Sequence, residues 1–189
     1  MGDFDIPNGP FSDVTLYMGR GDDARIGAGS SGGSLVSGGT GDDVIEMNRS
    51  ATPTAGDTIF GGDGDDIISA ATSFNGGAVD PLVIYGGEGA DTINIGIESV
   101  DVPAVGNGGA GEVRLMDFDP AEDSLTVVIS TEAQLRYSSS TVVNHPAEGY
   151  SELRMSFRDP GGNIFQSSIQ FDGITDLQSN DINLRLQQG

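Results

Sequence analysis

Three segments of this chain align without gaps, and no other feature restricts its fold as strongly. They are Gly38-Gly39-Thr40-Gly41-Asp42-Asp43-Val44-Ile45-Glu46, Gly61-Gly62-Asp63-Gly64-Asp65-Asp66-Ile67-Ile68-Ser69 and Gly86-Gly87-Glu88-Gly89-Ala90-Asp91-Thr92-Ile93-Asn94. Each reads GGxGxDxUx, with U a large aliphatic residue. A weaker copy, Met18-Gly19-Arg20-Gly21-Asp22-Asp23-Ala24-Arg25-Ile26, lacks the first Gly and carries Arg25 at U. The nonapeptide ahead of each match is degenerate but keeps U, at Leu16, Val36, Ile59 and Ile84. The chain therefore divides into four coils of two nonapeptides, 9–26, 29–46, 52–69 and 77–94. Units this short can bury an apolar face only by stacking on one another.

The six Gly-rich residues predict a tight turn, because positive φ and close backbone approach are cheap only for Gly. The x-U-x that follows predicts a short strand with U inward and its neighbours outward. Two nonapeptides then make one turn of a parallel β-roll, with turns stacked about 4.8 Å apart. The expected interior is a ladder of Leu16, Val36, Ile45, Ile59, Ile68, Ile84, Ile93, Leu115 and Leu125. That core is thin, which assigns much of the stability to a metal. After a stretch at 95–107 comes a further degenerate copy, 108–116, and then 117–125, where one inserted residue puts Asp123 at the Asp position and Leu125 at U.

These matches resemble the RTX, or hemolysin-type, calcium-binding repeats of secreted bacterial proteins, and 117–125 is similar to the segment that closes many RTX blocks. The resemblance implies an all-β chain: a right-handed parallel β-roll over 1–103, then a closing coil and antiparallel β cap over 104–189. It also implies a non-catalytic, extracellular protein exported by a type I system. The start, Met1 to Pro10, has neither the basic segment nor the apolar stretch of a Sec signal peptide, as that route expects. Low cytosolic calcium would keep such a chain unfolded, and external calcium would fold it.

The residues themselves support calcium. Asp23, Asp43, Asp66 and Asp91 recur one coil apart on a single edge, where stacked carboxylates would repel, more so if buried. A divalent ion between loops reverses the sign. Calcium takes six to eight oxygens at about 2.3–2.6 Å from carboxylates and carbonyls, and Gly-rich turns expose carbonyls without side chains in the way. The candidate ligands are Gly19, Gly21 and Asp23; Gly39, Gly41 and Asp43; Gly62, Gly64 and Asp66; Gly87, Gly89 and Asp91; and Asp123. About three ions are expected by this spacing, at 23/43, 43/66 and 66/91, with a fourth position at 91/123. Magnesium demands a tighter octahedron. Zinc would want His or Cys, and the chain has one His and no Cys. The other edge carries Val14, Ser34, Asp57, Leu82 and Val113, so the row is expected on one edge, with Asp57 an ordinary surface acid.

Composition narrows the partners. With 29 Asp+Glu against 8 Arg and a net charge of -21, the chain cannot release phosphate counterions or favour an anionic membrane surface. No apolar run reaches the roughly 18 residues of a membrane span. Gly falls to 9 in the last 84 residues against 21 in the first 105, which marks a change of architecture. There Leu153, Met155 and Phe157 face Phe165, Ile169 and Phe171 across 159–163, a hairpin pattern. Leu125, Val127 and Ile129, with Leu135 and Tyr137, suggest further antiparallel strands, and a single turn of helix is expected near 176–181. The stretch 173–182 is similar to endings of secreted RTX proteins.

One match is a decoy. Gly29-Ser30-Ser31-Gly32-Gly33 fits GxSxG, with His145 downstream, but a nucleophile elbow needs a strand–turn–helix setting, and this match sits in a roll turn. Two other functions stay open. A polysaccharide or cell-surface ligand could bind the insertions at 27–28, 47–51, 70–76 and 95–107, which share one edge, although only Phe74 there is aromatic. Ice binding would need outward Thr and Asn in phase, and Thr40, Asn48, Thr58, Thr72, Thr92 and Asn94 do not repeat in phase.

Overall fold

A computed structural model describes residues 12–30, 32–49, 55–73, 80–98, 113–131 and 136–188. It is all-β, with two mainly parallel sheets visited alternately by the chain. One sheet takes β1 (Thr15–Arg20), β3 (Leu35–Thr40), β5 (Thr58–Asp63), β7 (Leu82–Glu88) and β9 (Val113–Leu115) in parallel order. The other takes β2 (Ala24–Ser30), β4 (Val44–Arg49), β6 (Ile67–Ser73), β8 (Thr92–Glu98) and β10 (Ser124–Thr131). Each Gly-rich turn leads from the first sheet to the second, so the four repeats stack their turns along one edge.

The repeats set the register. Val36, Ile59, Ile84 and Leu115 are successive partners in the first sheet, and Ile45, Ile68, Ile93 and Leu125 in the second. All eight are buried, with Leu16 packed at the end of its row. Arg25 occupies the second sheet's U position in the first coil, buried, with Nη1 donating to the Glu46 carbonyl oxygen at 3.1 Å. Burial lowers its pKa.

The core is thicker than the x-U-x pattern implies. Strands of the second sheet continue into the insertions, and alternation carries Met47, Ala70, Ile95 and Val127 inward beside the U row. A third row, Thr72, Ile97 and Ile129, lies beyond them. The insertions thus begin as strand, and their remainders at 50–54, 74–79 and 99–112, with Phe74, lie outside the described residues. Thr72 is buried, which removes it from any outward threonine row.

The carboxyl-terminal segment joins both sheets. The hairpin of β12 (Tyr150–Arg158) and β13 (Ile164–Asp172) forms as the sequence indicates, with Leu153 opposite Ile169 and Phe157 opposite Phe165. β13 then pairs in parallel with β9, placing Phe171 on Leu115 and Ile169 on Val113. Arg114 of β9 grips Asp172 of β13, Nη2 to Oδ1 at 2.9 Å. A 3-10 turn at Ser179–Asp181 leads to β14 (Ile182–Gln188), parallel to β10. Strands β13 and β14 therefore form one more coil of the roll, whose turn lacks the Gly-Asp pattern. The expectation that 125–129 is antiparallel fails for this reason: β10 lies between two parallel roll strands. Among the described residues only β11 (Arg136–His145), paired with β12, adds a further antiparallel strand, and Leu135 lies outside them.

Candidate metal centre

The constant phase of the repeat places Asp23, Asp43, Asp66 and Asp91 in one buried column, at 5%, 1%, 1% and 1% exposure. Four ionisable carboxylates so deeply enclosed need strong compensation. Half of it is visible. The amides of Asp23, Asp43, Asp66 and Asp91 donate to Oδ1 of Asp43, Asp66, Asp91 and Asp123 at 2.8–2.9 Å. The backbone carbonyls of Asp23, Asp43, Asp66 and Asp91 accept amides of the next coil at 2.8–2.9 Å. Each acid is thus fixed to its neighbour through backbone and side chain together.

The other half is missing from the protein. Oδ2 of Asp23, Asp43, Asp66 and Asp91 is buried and has no hydrogen-bond donor. At Asp43, Asp66 and Asp91 these oxygens lie close against the first glycine of the repeat, Gly38, Gly61 and Gly86, where a side chain would not fit. A methyl group on Gly38 would strike Asp43 Oδ2 and the Gly61 carbonyl oxygen; one on Gly61 would strike Asp66 Oδ2 and the Gly86 carbonyl oxygen. At Gly86 it would strike Asp91 Oδ2. A carboxylate oxygen beside a carbonyl oxygen is an acceptor facing an acceptor. Such an arrangement calls for a cation, a proton or a bridging water donor between the two oxygens.

The electrostatics agree. Burial pushes the Asp66 carboxyl up to about 7, aided by the charges of Asp91 and Asp43 and opposed by the hydrogen bond from the Asp43 amide. Burial raises Asp43 and Asp91 as well. An all-oxygen donor set of carboxylates and peptide carbonyls suits a hard cation of calcium's size and loose geometry. Among the described residues no cluster of three or more His, Cys, Asp or Glu side chains has metal-binding geometry. The donors here are one acid per coil, with carbonyls supplying the rest.

The structure distributes the sequence-predicted residues over distinct positions. The second glycines Gly19, Gly39, Gly62 and Gly87 all have positive φ, from 111° to 128°. The Gly19, Gly39 and Gly62 carbonyl oxygens lie hard against the next coil's glycine, where any side chain would collide. Gly21, Gly41, Gly64 and Gly89 stack likewise, and the Gly21, Gly41 and Gly64 amides donate to the Thr40, Asp63 and Glu88 carbonyls at 2.7–2.8 Å. The carbonyls that meet the orphaned oxygens belong instead to the first glycines, Gly61 and Gly86, which spacing alone did not single out. Asp123 differs from the others, since its Oδ2 accepts the Asp119 amide at 2.8 Å. Beside it Asp117 caps the last Gly turn, Oδ1 accepting the Gly86 amide at 2.8 Å.

A second Asp row runs outside the first. Asp42, Asp65 and Ala90 amides donate to Oδ1 of Asp22, Asp42 and Asp65 at 3.1, 2.9 and 2.8 Å. Its polarity is opposite to the inner row, so adjacent coils are tied in both directions. The sequence signal was the doubled Asp-Asp, whose two members do separate jobs.

The opposite edge corrects one expectation. Asp57 is fully buried, not a surface acid. Its Oδ1 accepts the Ser30 hydroxyl at 2.7 Å and the Ser34 amide at 2.9 Å. Ser31, centre of the GxSxG match, lies outside the described residues. His145 ends β11 on the Asp-row edge, stacked on Tyr150 at 4.5 Å. Ser30 ends β2 on the other edge and in the first coil, so the topology holds the two apart.

No protein-family pattern matches the chain, and no curated protein matches it. Solved structures are similar to it, among them two subunits of one enzyme. One is the AlgE6R2 subunit of the Azotobacter vinelandii mannuronan C5-epimerase, 20% identical, covering 93% of this chain and 91% of that one, with a TM-score of 0.31. The other is the AlgE6R3 subunit of the same enzyme, 20% identical, covering 76% and 82%, with a TM-score of 0.26.

The close approach of Asp66 Oδ2 and the Gly86 carbonyl to Gly61 invites a direct test. Gly61→Ala should cost about 1–3 kcal/mol through overpacking and, where calcium stabilises the chain, reduce that stabilisation. Gly96→Ala is the control, because there a methyl makes ordinary contacts, the nearest with Ala71 Cβ at 3.4 Å. Equal effects in calcium-saturated thermal melts would count against an ion at that close approach.

Proposed function

We propose that this chain is a non-catalytic, RTX-type calcium-binding β-roll module whose folding is coupled to calcium outside the cell. The observation that carries this reading is the column of buried, donor-less Oδ2 atoms at Asp23, Asp43, Asp66 and Asp91, with the Gly61 and Gly86 carbonyls beside those of Asp43 and Asp66. About three ions would fill the interstices 23/43, 43/66 and 66/91, with a fourth where Asp91 meets Asp117 and Asp123. In a calcium-poor cytosol the like charges and orphaned acceptors oppose folding; at millimolar external calcium, binding to the folded state alone reverses the balance. Type I export fits such a chain, because it moves unfolded protein. Calcium titration followed by circular dichroism and ion counting tests the reading. A cooperative gain of β signal with about three to four bound ions is expected; a spectrum unchanged by excess chelator, with no ion recovered, would overturn it.

A second reading, a calcium-dependent surface- or polysaccharide-binding or adhesion module, has one observation in its favour. On the outer face of the first sheet Phe60 and Tyr85 are stacked at 4.6 Å, and Tyr17, 70% exposed, lies in the same row. Polymer pull-down in calcium should then weaken in Tyr17→Ala/Tyr85→Ala, and absence of binding to any polymer would exclude it. Among the described residues no helix is long and apolar enough to cross a membrane.

A further inference from the structure

The far end of the first sheet carries a charged feature separate from the Asp column. Arg136 and Arg158 are cross-strand partners at the open end of the β11–β12 hairpin. Like charges placed directly opposite destabilise a strand pair, and this chain has 29 acids with which 8 arginines could pair. Arg114 and Arg154 do so, with Asp172 and Glu152. Arg136 and Arg158 form no ion pair among the described residues. Asp159, which lines the same cleft, is engaged by its own turn: its Oδ1 accepts the Asn163 amide at 2.8 Å and its Oδ2 accepts Asn163 Nδ2 at 2.7 Å. The donors of that turn hold its carboxyl below the usual range.

The two arginines line a cleft of about 580 Å³ with Tyr137, Ser138, Asp159 and Pro160. Its construction is specific. Register passes from Tyr137/Phe157 to Ser139/Ser156, so Ser138 is an extra, bulged residue, and bulges redirect side chains and free backbone donors. Tyr137 forms a fixed wall, its hydroxyl 2.8 Å from Ser140 Oγ and its ring edge-on to Phe157 at 6.0 Å. Because β13 enters the roll parallel to β9, the 159–163 turn lies on the edge opposite the Asp column.

We propose that this cleft binds an oxyanion held between the Arg136 and Arg158 guanidinium groups, with the Ser138 hydroxyl as a further donor. Guanidinium forks match the paired oxygens of sulfate, phosphate or carboxylate, and a bound anion removes the repulsion between the two cations. The cleft exceeds the size of a bare ion and lies within the range of sites for small organic ligands. It therefore takes an oxyanion carried on a ring-sized body that rests against Tyr137 and Pro160.

The test uses the full chain loaded with calcium, which reduces its net negative charge. Amide NMR spectra are followed as sodium sulfate or glucose 6-sulfate is added, against sodium chloride at matched ionic strength. Saturable shifts confined to 136–138 and 158–160 are expected, with glucose 6-sulfate binding more tightly than sulfate; equal affinities would identify the free ion as the ligand. Arg136→Gln/Arg158→Gln should weaken binding by about tenfold or more, yet melt in chloride at the same or a higher temperature, while Arg185→Gln changes neither. Shifts that do not saturate, or that persist in the double variant, overturn the proposal. So does a double variant that melts lower in chloride, since the arginines would then be structural.

Discussion

Asp66→Asn should stabilise the chain in chelator and destabilise it in calcium. The amide keeps an acceptor for the Asp43 N–H, now made by Asp66 Oδ1 at 2.8 Å. In place of Oδ2 it puts a donor, which suits the Gly86 carbonyl without any cation. It also deletes a buried charge that burial and the neighbouring Asp91 and Asp43 disfavour. In calcium the same change removes an anionic ligand from the interstice toward Asp91 and weakens the adjoining one, a loss of several kcal/mol of metal-linked stability. Asp57→Ala is the comparison. Asp57 is buried, so its loss strands the Ser30 hydroxyl and the Ser34 amide, costing about 1–3 kcal/mol each way, with or without calcium. Thermal melts at fixed free calcium and in chelator separate the two. If Asp66→Asn has the same sign in both conditions, or if the Asp57 cost follows calcium, the one-edge column is wrong.

The asymmetry between Asp66 and Asp57 shows where sequence reasoning reached and where it stopped. Phase alone placed the Asp column and the U rows, since a period of nine leaves one register in which Ile59, Ile84 and Leu115 stack inward. Phase could not register Asp57, because its coil neighbours at that position are Val14, Ser34 and Leu82. Its burial depends on Ser30, which reaches it across coils. The extra core rows were hidden for another reason. Met47, Ala70, Ile95 and Val127 alternate in strands that outrun the repeat, and the nonapeptide template has no position for them. The last coil was hidden because β13 and β14 reach their partners by strand pairing alone, with no Gly-Asp turn between them. Which glycine carbonyl faces the acid was beyond spacing altogether: the first and second glycines of each pair differ in φ and in what lies opposite, and neither is written in the motif.

On the function proposed above, calcium and protons compete for the same orphaned oxygens, so pH should act with opposite sign on the metal-free and metal-bound chain. Asp66 in the folded, metal-free chain titrates at about 7, against 3.8 for the ordinary carboxyl. A raised folded-state pKa means that the folded form binds the proton more tightly than the unfolded form does. That contribution is fully present below about pH 4 and is lost as pH rises through about 7. Protonation at this one acid corresponds to about 4 kcal/mol, with Asp43 and Asp91 shifted in the same direction. In chelator, the melting temperature should therefore fall steadily from pH 4 to pH 8. Well above pH 7 Asp66 is charged, and calcium meets no proton there to displace. Below it, each ion must release protons to bind, so the apparent dissociation constant should rise by about tenfold per pH unit for each proton displaced. The stabilisation conferred by calcium should accordingly be largest near pH 8 and shrink toward pH 5, bringing the two melting curves together in acid. Parallel pH dependences with and without calcium would mean that the proton and the ion occupy different places, and that the oxygens beside Gly61 and Gly86 are not the ligands.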